Sequence, residues 1–253
     1  MNILVCVKRV PLTGGKIVLT DDQRAISTRH LGFTVSPHEE CGCEEAVRLI
    51  EQHGGSSTVL TLGPPDAEEQ LRDMMAIGID QAVHLVTDGA EWDPQATAGA
   101  IVEAISGAGG TQSYDLILFG NESADAGNHQ VAIRVAHKLG LPVVTGVKGI
   151  SVQNGGLRLE EEVPGGRDVY EVPMPAVVTV KEGINLPRYP SVPGRLRAKR
   201  KPLEASSLVR SEPKLEMVRL VLPPGSGKQA EVLGDGADAA PAVVGVLSEL
   251  GLV

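Results

Sequence analysis

The sequence predicts an α/β protein, doubly wound around a mostly parallel sheet, with a C-terminal arm. Three observations predict it. Short apolar runs rich in β-branched residues recur at 3–7, 58–62, 82–86 and 116–119, as expected of strands covered on both faces. Amphipathic stretches of helical length lie between them, which makes βαβ units with a parallel sheet the expected arrangement. After Pro187 this alternation stops and the composition becomes basic, then Gly- and Ala-rich.

Each element carries its own punctuation. Ser36-Pro37-His38-Glu39 reads as a capping box with proline at the first helical position. Cys43, Ala46, Val47 and Ile50 follow at i, i+3, i+4 and i+7 and define one buried stripe. Asp66 and Glu69 open a second helix, with Leu71, Met74 and Met75 inward and Gly78 as its stop. Asp93-Pro94 opens a third, striped by Ala98, Ile101, Val102 and Ile105. Asn128 is the expected cap of a fourth, striped by Ala132, Val135, Ala136 and Leu139 and ended by Gly140. The runs 150–152, 157–159 and 169–172 are separated by Asn154-Gly155-Gly156 and Pro164-Gly165-Gly166. That turn chemistry predicts antiparallel strands on the flank of the main sheet. Residues 176–180 return to a buried strand, and an apolar helix is expected around 243–250.

Bulk properties exclude several classes. The 253 residues are 42% hydrophobic and 22% charged, enough for a full core. Aromatics make up only 2% and the formal charge is −9, both unfavourable for binding nucleic acid. Cys6, Cys41 and Cys43 form neither a disulfide framework nor a usual metal spacing. They read as small buried residues of a reducing compartment. The longest apolar run falls short of a membrane span and the start lacks a signal-peptide pattern, so the cytoplasm is the expected location. The six histidines show no metal-ligand spacing and are expected mostly at the surface or at caps. No nucleophile elbow and no pair of carboxylates stands out for acid–base work. Glu160-Glu161-Glu162 reads as a solvated strand edge.

In an open parallel sheet, ligands bind at the carboxyl ends of strands where strand order reverses. Three such ends are suggestive: Lys8-Arg9-Val10-Pro11, Gly63-Pro64-Pro65, and the segment from Gly120 to Val131. The last has a glycine after the strand and another, Gly127, before the helix. Backbone N–H groups could approach an anion there, helped by a helix N-terminus carrying roughly +0.5 of a charge. The segment fits neither Walker A nor G-x-G-x-x-G, so on pattern alone an ordinary βα connection capped by Asn128 comes first. The basic stretch with Arg188, Arg195, Arg197, Lys199, Arg200 and Lys201 lacks interleaved aromatics. It suits an acidic protein surface or a solvated linker.

A long stretch nevertheless resembles one family. The run 178–193, V-T-V-K-E-G-I-N-L-P-R-Y-P-S-V-P, followed by Arg197-Ala198-Lys199-Arg200-Lys201-Pro202, resembles the signature of electron-transfer flavoprotein beta subunits. Three further segments agree in order and spacing: the start 3–11 with its V-K-R-V-P, the helix start 36–49, and 71–86 with Ala76-Ile77-Gly78. The resemblance runs from the first residues to about residue 203.

The resemblance implies a fold related to adenine-nucleotide-binding, Rossmann-like proteins. It divides the chain into a nucleotide-binding domain, 1–203, and an arm, 204–253, packing on an alpha subunit. It implies an AMP bound in this chain at Cys6, at Ser36, Pro37, His38 and Glu39, at Leu62, and at Gly120, Asn121, Glu122, Ser123, Ala124, Asp125, Ala126, Gly127, Asn128, His129, Gln130 and Val131. The phosphate would rest on the amides of His129, Gln130 and Val131, which reverses the preference for an empty loop. It further implies that the redox FAD is held mainly by the alpha subunit of a heterodimer. Residues 184–193 would form the docking loop for acyl-CoA-type or other flavin dehydrogenases, with Ile184, Arg188, Tyr189, Val192, Arg197 and Arg200 at matching positions. The chain would be an electron carrier rather than an enzyme, relaying electrons to a quinone-linked acceptor. Two departures stand out. The family's AMP loop carries an acidic run where this sequence has Asp125-Ala126-Gly127, and its helix starts with Asn-Pro rather than Ser36-Pro37. Asp125, Gln130 and Val131 also fit a branch that holds a second FAD here and oxidises NADH by electron bifurcation. A pyrophosphatase module of related fold would need an S-G-G-x-D-S-type loop after the first strand, which Lys8–Thr13 lacks.

Overall fold

The computed structural model describes residues 1–14, 17–110, 113–224 and 231–253. Part of the Gly-rich segment 223–227 of the arm lies outside the described residues. The strands are β1 (Asn2–Val7), β2 (Arg9–Pro11), β3 (Phe33–Val35), β4 (Ser56–Gly63), β5 (Gln81–Val86), β6 (Leu116–Gly120), β7 (Val143–Gln153), β8 (Gly156–Val163), β9 (Gly166–Pro173), β10 (Ala176–Val180) and β11 (Leu203–Ser207). The α-helices are α1 (Pro37–His53), α2 (Glu68–Ile77), α3 (Pro94–Gly107), α4 (Val131–Leu139), α5 (Val192–Ala198) and α6 (Ala240–Glu249).

The main sheet has nine strands in the order β11-β5-β4-β1-β6-β10-β7-β8-β9. From β11 to β7 every neighbouring pair is parallel, and the β7-β8-β9 flank is antiparallel. The chain builds outward from β1 through β4 to β5, then returns to the other side of β1 with β6. The strand order therefore reverses between β1 and β6, and a crevice opens at their carboxyl ends.

The alternation along β1 explains the double winding. Ile3, Val5 and Val7 face one layer, made with α1 and α2. Leu4 and Cys6 face the other, made with α3 and α4. Both sets are buried because successive strand side chains point to opposite faces. With so few rings available, Val, Ile, Leu and Ala fill both layers, joined by Met74 and Met75 in the first and by Trp92 and Phe119 in the second.

Several local expectations are corrected. Ser36 precedes α1 but makes no side-chain cap; its hydroxyl donates to the Glu122 carbonyl at 3.4 Å. The capping box is therefore not closed from the Ser36 side, and the Glu39 carboxyl also accepts the Lys8 amide at 2.7 Å. Asn128 does not cap α4. His129 and Gly127 hold φ of 53° and 55°, which breaks the helix until Gln130. A 3-10 turn, Pro65–Ala67, intervenes before α2, which has no side-chain cap. Asp93 does cap α3, its carboxylate accepting from Ala96 N at 2.8 Å. The Glu160–Glu162 run lies on β8, between β7 and β9 rather than at an edge. Its carboxylates pair with Arg158 and Arg167, Tyr170, and Lys148 respectively. His84 is buried, with Nε2 3.3 Å from the Gly63 carbonyl, unlike the surface or capping role expected of most histidines.

The basic stretch is partly built into the fold. Lys201 Nζ donates to the carbonyls of Met75 (3.0 Å), Gly78 (3.2 Å) and Ile79, closing the C-terminal end of α2. Burial holds its ammonium below the usual lysine range. Lys201→Met is therefore expected to cost about 1–2 kcal/mol, the scale of a charged hydrogen bond lost from helix-end carbonyls. A lowered urea midpoint checks this. Among the described residues no helix is long and apolar enough to cross a membrane.

Candidate functional site

The crevice at the switch point opens into a cavity of about 910 Å³. Its floor is the carboxyl end of β1, with Cys6, Val7 and Lys8, against the end of β6 at Gly120. The segment after β6 forms one wall as far as Val131, and Leu62 and Gly63 at the end of β4 form another. Of the expected nucleotide contacts, Cys6, Glu39, Leu62, Gly120, Asn121, Glu122, Ser123, Asp125, Ala126, Asn128, His129, Gln130 and Val131 line this one cavity. Ser36, Pro37, His38, Ala124 and Gly127 are not among the residues that line it. Gly120 is pressed against the start of α1: a β-carbon there would come within 2.6 Å of Glu39 Cγ and 3.2 Å of His38 Cβ. The wall therefore needs glycine at this point.

The first turn of α4 faces the cavity without a cap. The amides of Val131, Ala132 and Ile133 precede the first intrahelical bond, and no side chain caps them. Gln130 cannot do so, because its Oε1 accepts from Arg134 Nε at 3.2 Å and Nη2 at 2.9 Å. All three of these residues line the cavity. Uncapped donors at the positive end of a helix form an anion site. The residues present thus fit a phosphate-bearing ligand.

A hydrogen-bond lattice fixes the loop. Asn121 Oδ1 accepts from Gly146 N at 3.1 Å and from Thr179 Oγ1 at 2.9 Å, tying the loop to β7 and β10. Asn121 Nδ2 lies 3.3 Å from His129 Nδ1, and His129 Nε2 lies 2.8 Å from Glu122. Gly146 holds φ 68° beside the register shift of β7, where a β-carbon would meet Glu161.

The charges are less simple than the sequence implies. Lys8 Nζ pairs with Glu91 at 2.7 Å and Asp125 at 2.8 Å. Burial acts to lower its pKa, but the two carboxylates outweigh that and hold it above the usual lysine value. Glu39 is buried, and loss of hydration pushes its carboxyl up to about 8 despite the Lys8 amide. At neutral pH it is therefore largely uncharged, which keeps a further negative charge out of an anion site. Burial and the nearby Glu39 push the Cys6 thiol far above its usual range, so it is inert packing.

Sequence reasoning singled out Lys8 and Arg9 only as a strand end. Both line the cavity, and the Arg9 guanidinium carbon sits 3.3 Å from the Phe33 ring centroid. Arg24, Glu91, Trp92, Met217 and Leu220 also line it. They come from segments distant in sequence, so no local pattern could have found them.

The second expected constellation lies elsewhere, beside α1 and α2. Tyr189 (96% exposed) and Val192 (73%) project outward, as does the unassigned Leu186 (91%). Val192 is the first residue of α5, capped by Ser191, which accepts from Gly194 N at 3.1 Å. Arg197 and Arg200 are exposed and carry no ion pair among the described residues. Ile184 packs against the core instead. Arg188 is held by Glu44 and Glu51 of α1.

Comparison with known proteins agrees over most of the chain. The family profile described as "Electron transfer flavoprotein domain" matches residues 25–210. "Electron transfer flavoprotein subunit beta" of Bacillus subtilis (strain 168) is 34% identical over 98% of this chain and 97% of its own. The protein of the same name from Syntrophomonas wolfei is 34% identical over 88% of this chain and 86% of its own. That from Mycobacterium leprae (strain TN) is 37% identical over 82% and 79%.

Proposed function

The chain belongs to the electron transfer flavoprotein family, as a beta subunit, and from that premise we propose that its cavity holds an AMP while the redox FAD sits mainly on an alpha-subunit partner. The observation that carries this reading is the uncapped first turn of α4 at the switch-point cavity. The FAD of such a heterodimer supplies the electron acceptance and donation. This chain's residues bind, orient and shield. The amides of 129–133 would hold the phosphate, Asn121 fixes the loop that presents them, and neutral Glu39 keeps further charge away.

In this reading the chain is a carrier subunit of the cytoplasm, without catalysis of its own. Residues 1–203 would form the nucleotide-binding body together with the edge strand β11, and the chain beyond the segment 214–220 would be the arm that lies on the alpha subunit. The exposed apolar residues Val243, Val244 and Leu250 in and after α6 support such a partner-facing arm. Tyr189, Val192, Arg197 and Arg200 would meet acyl-CoA-type or other flavin dehydrogenases, and electrons would leave to a quinone-linked acceptor.

A second reading, a bifurcating beta subunit with a second FAD that oxidises NADH, is favoured by one observation. At about 910 Å³ the cavity is near the upper end of small-molecule sites, ~300–1,000 Å³, with room for a dinucleotide. Purifying the chain with its alpha subunit and identifying the nucleotides released on denaturation decides between them. One FAD plus one AMP per heterodimer is the expected result. Two FAD would establish the second reading, and a colourless chain with no alpha partner and no nucleotide would overturn both.

A further inference from the structure

The outer rim of the cavity is made by two segments far apart in sequence that clasp each other. One is the turn around Gln23, closed by the bridge between Leu19 and Ile26. The other is the arm segment 214–220. The arm amides of Lys214 and Leu215 both donate to Asp93 Oδ2, at 2.8 and 3.0 Å. Asp93 is buried, and its other oxygen, Oδ1, caps α3 through Ala96 N. At the far end Leu220 N donates to the Gln23 carbonyl at 2.7 Å, and Arg24 pairs with Glu216 at 3.2 Å. Between these tethers Met217 and Leu220 line the same cavity as Lys8 and Gly120, with Arg24 and Ile26 beside them.

A segment without helix or strand would have no reason to keep this path unless its ends were held. Both ends are held, and one holder is a carboxylate that serves a helix cap and the arm with different oxygens. We propose that residues 214–220 are a strap across the mouth of the nucleotide site, latched at Asp93 and Gln23, which sets how fast the bound adenine nucleotide is released. The proposal rests on the reading of this cavity as a nucleotide site. It adds to that reading a set of binding residues, Arg24, Met217 and Leu220, that belong to no phosphate loop. It also makes Asp93 a positioning residue, because it acts on the ligand only through the arm.

Asp93→Asn separates the two tasks of this residue. The amide oxygen still accepts from Ala96 N, whereas the NH₂ that replaces Oδ2 cannot accept from Lys214 and Leu215. The measurement is the release rate of the site nucleotide from the purified heterodimer. It is followed as loss of radiolabelled AMP into excess unlabelled AMP, or as recovered flavin fluorescence if the denaturation experiment finds FAD. Release about tenfold faster than wild type, at unchanged full occupancy, is expected for the loss of the latch. A folded D93N heterodimer that releases at the wild-type rate overturns the strap while leaving the site reading intact. A wild-type heterodimer that holds no adenine nucleotide overturns both. If D93N does not assemble, limited trypsin digestion of the wild type tests the same point. Bound nucleotide is expected to slow cleavage at Lys214 and Arg219 at least several-fold, and equal rates with and without it overturn the proposal.

Discussion

Glu39→Gln is expected to stabilise the protein, and by an amount that grows as the pH rises from 5 to 8. The carboxyl of Glu39 is buried and pushed up to about 8 from an ordinary value of 4.5, first by loss of hydration. A carboxyl whose folded pKa lies above its unfolded one takes up a proton on folding anywhere between the two values. Stability then falls as pH rises through that window and levels off above the folded pKa. Near pH 5 the wild-type residue costs little. Near pH 8 the unfolded chain is ionised while the folded site resists ionisation, and the difference amounts to roughly 4 kcal/mol. Glutamine does not titrate, and its Oε1 can still accept the Lys8 amide that Glu39 accepts at 2.7 Å. The difference in thermal midpoint between E39Q and wild type, measured on the heterodimer at pH 5, 6.5 and 8, isolates this group from the others that titrate. A difference that is flat with pH would show that Glu39 is charged throughout. The same proton bears on function. Above pH 8 the cavity gains a carboxylate close to Asp125, and retention of an anionic nucleotide is expected to weaken in the wild type but not in E39Q.

The fold was legible wherever burial left a period in the sequence. The runs 3–7, 58–62, 82–86 and 116–119 all lie in parallel strands covered on both faces. Residues 143–147 were not legible as a strand. Gly146, needed for the register shift, interrupts the run, and Pro142 precedes it. Leu203–Ser207 was not legible either. It is an exposed edge strand on β5, carrying Glu204, Ser206 and Ser207, so the sheet continues into the segment expected to be arm. The site divides in the same way. The loop from Gly120 to Val131 announces itself by its glycines and the helix that follows. Lys8, Glu91 and Asp125 meet only because three strand ends converge, and spacing along the chain records none of that. Side-chain caps were mixed signals for a related reason. Asp93 caps α3 as its sequence implies, whereas Ser36 turns to the Glu122 carbonyl and the positive φ of His129 separates Asn128 from α4 in the folded state.

Arg188→Leu is expected to cost about 2 kcal/mol and to loosen the exposed loop without touching the nucleotide cavity. Arg188 Nε donates to Glu44 Oε2 at 2.9 Å and Nη2 to Oε1 at 2.9 Å, a two-armed pair, while Nη1 reaches Glu51 Oε1 at 2.7 Å. The backbone amide of Arg188 also donates to Glu44 at 3.1 Å. Next along α1, Glu45 accepts from Asn185 Nδ2 at 2.9 Å, so the loop is fastened to one helix at two successive residues. The Glu44 side chain is only 6% exposed. Removing the guanidinium leaves a buried carboxylate with one amide for a partner, which in a wholly buried pair costs ~3–5 kcal/mol. Because Arg188 is 38% exposed and Glu51 lies at the surface, water recovers part of that. Glu44→Gln removes the charge that is stranded. The double variant is therefore expected to be more stable than the sum of the single losses by about 1 kcal/mol. Denaturant titration of the wild type, both single variants and the double variant closes this cycle; strict additivity would mean that the pair does not hold the loop. The functional consequence follows from the same geometry. Leu186, Tyr189 and Val192 project from a segment whose path is set by Arg188 and Asn185, so a looser loop must lose entropy when it docks. With a flavin dehydrogenase that reduces the wild-type heterodimer, R188L is expected to raise KM several-fold and leave kcat near the wild-type value. A fall in kcat at unchanged KM would place Arg188 in electron transfer rather than in the shape of the loop.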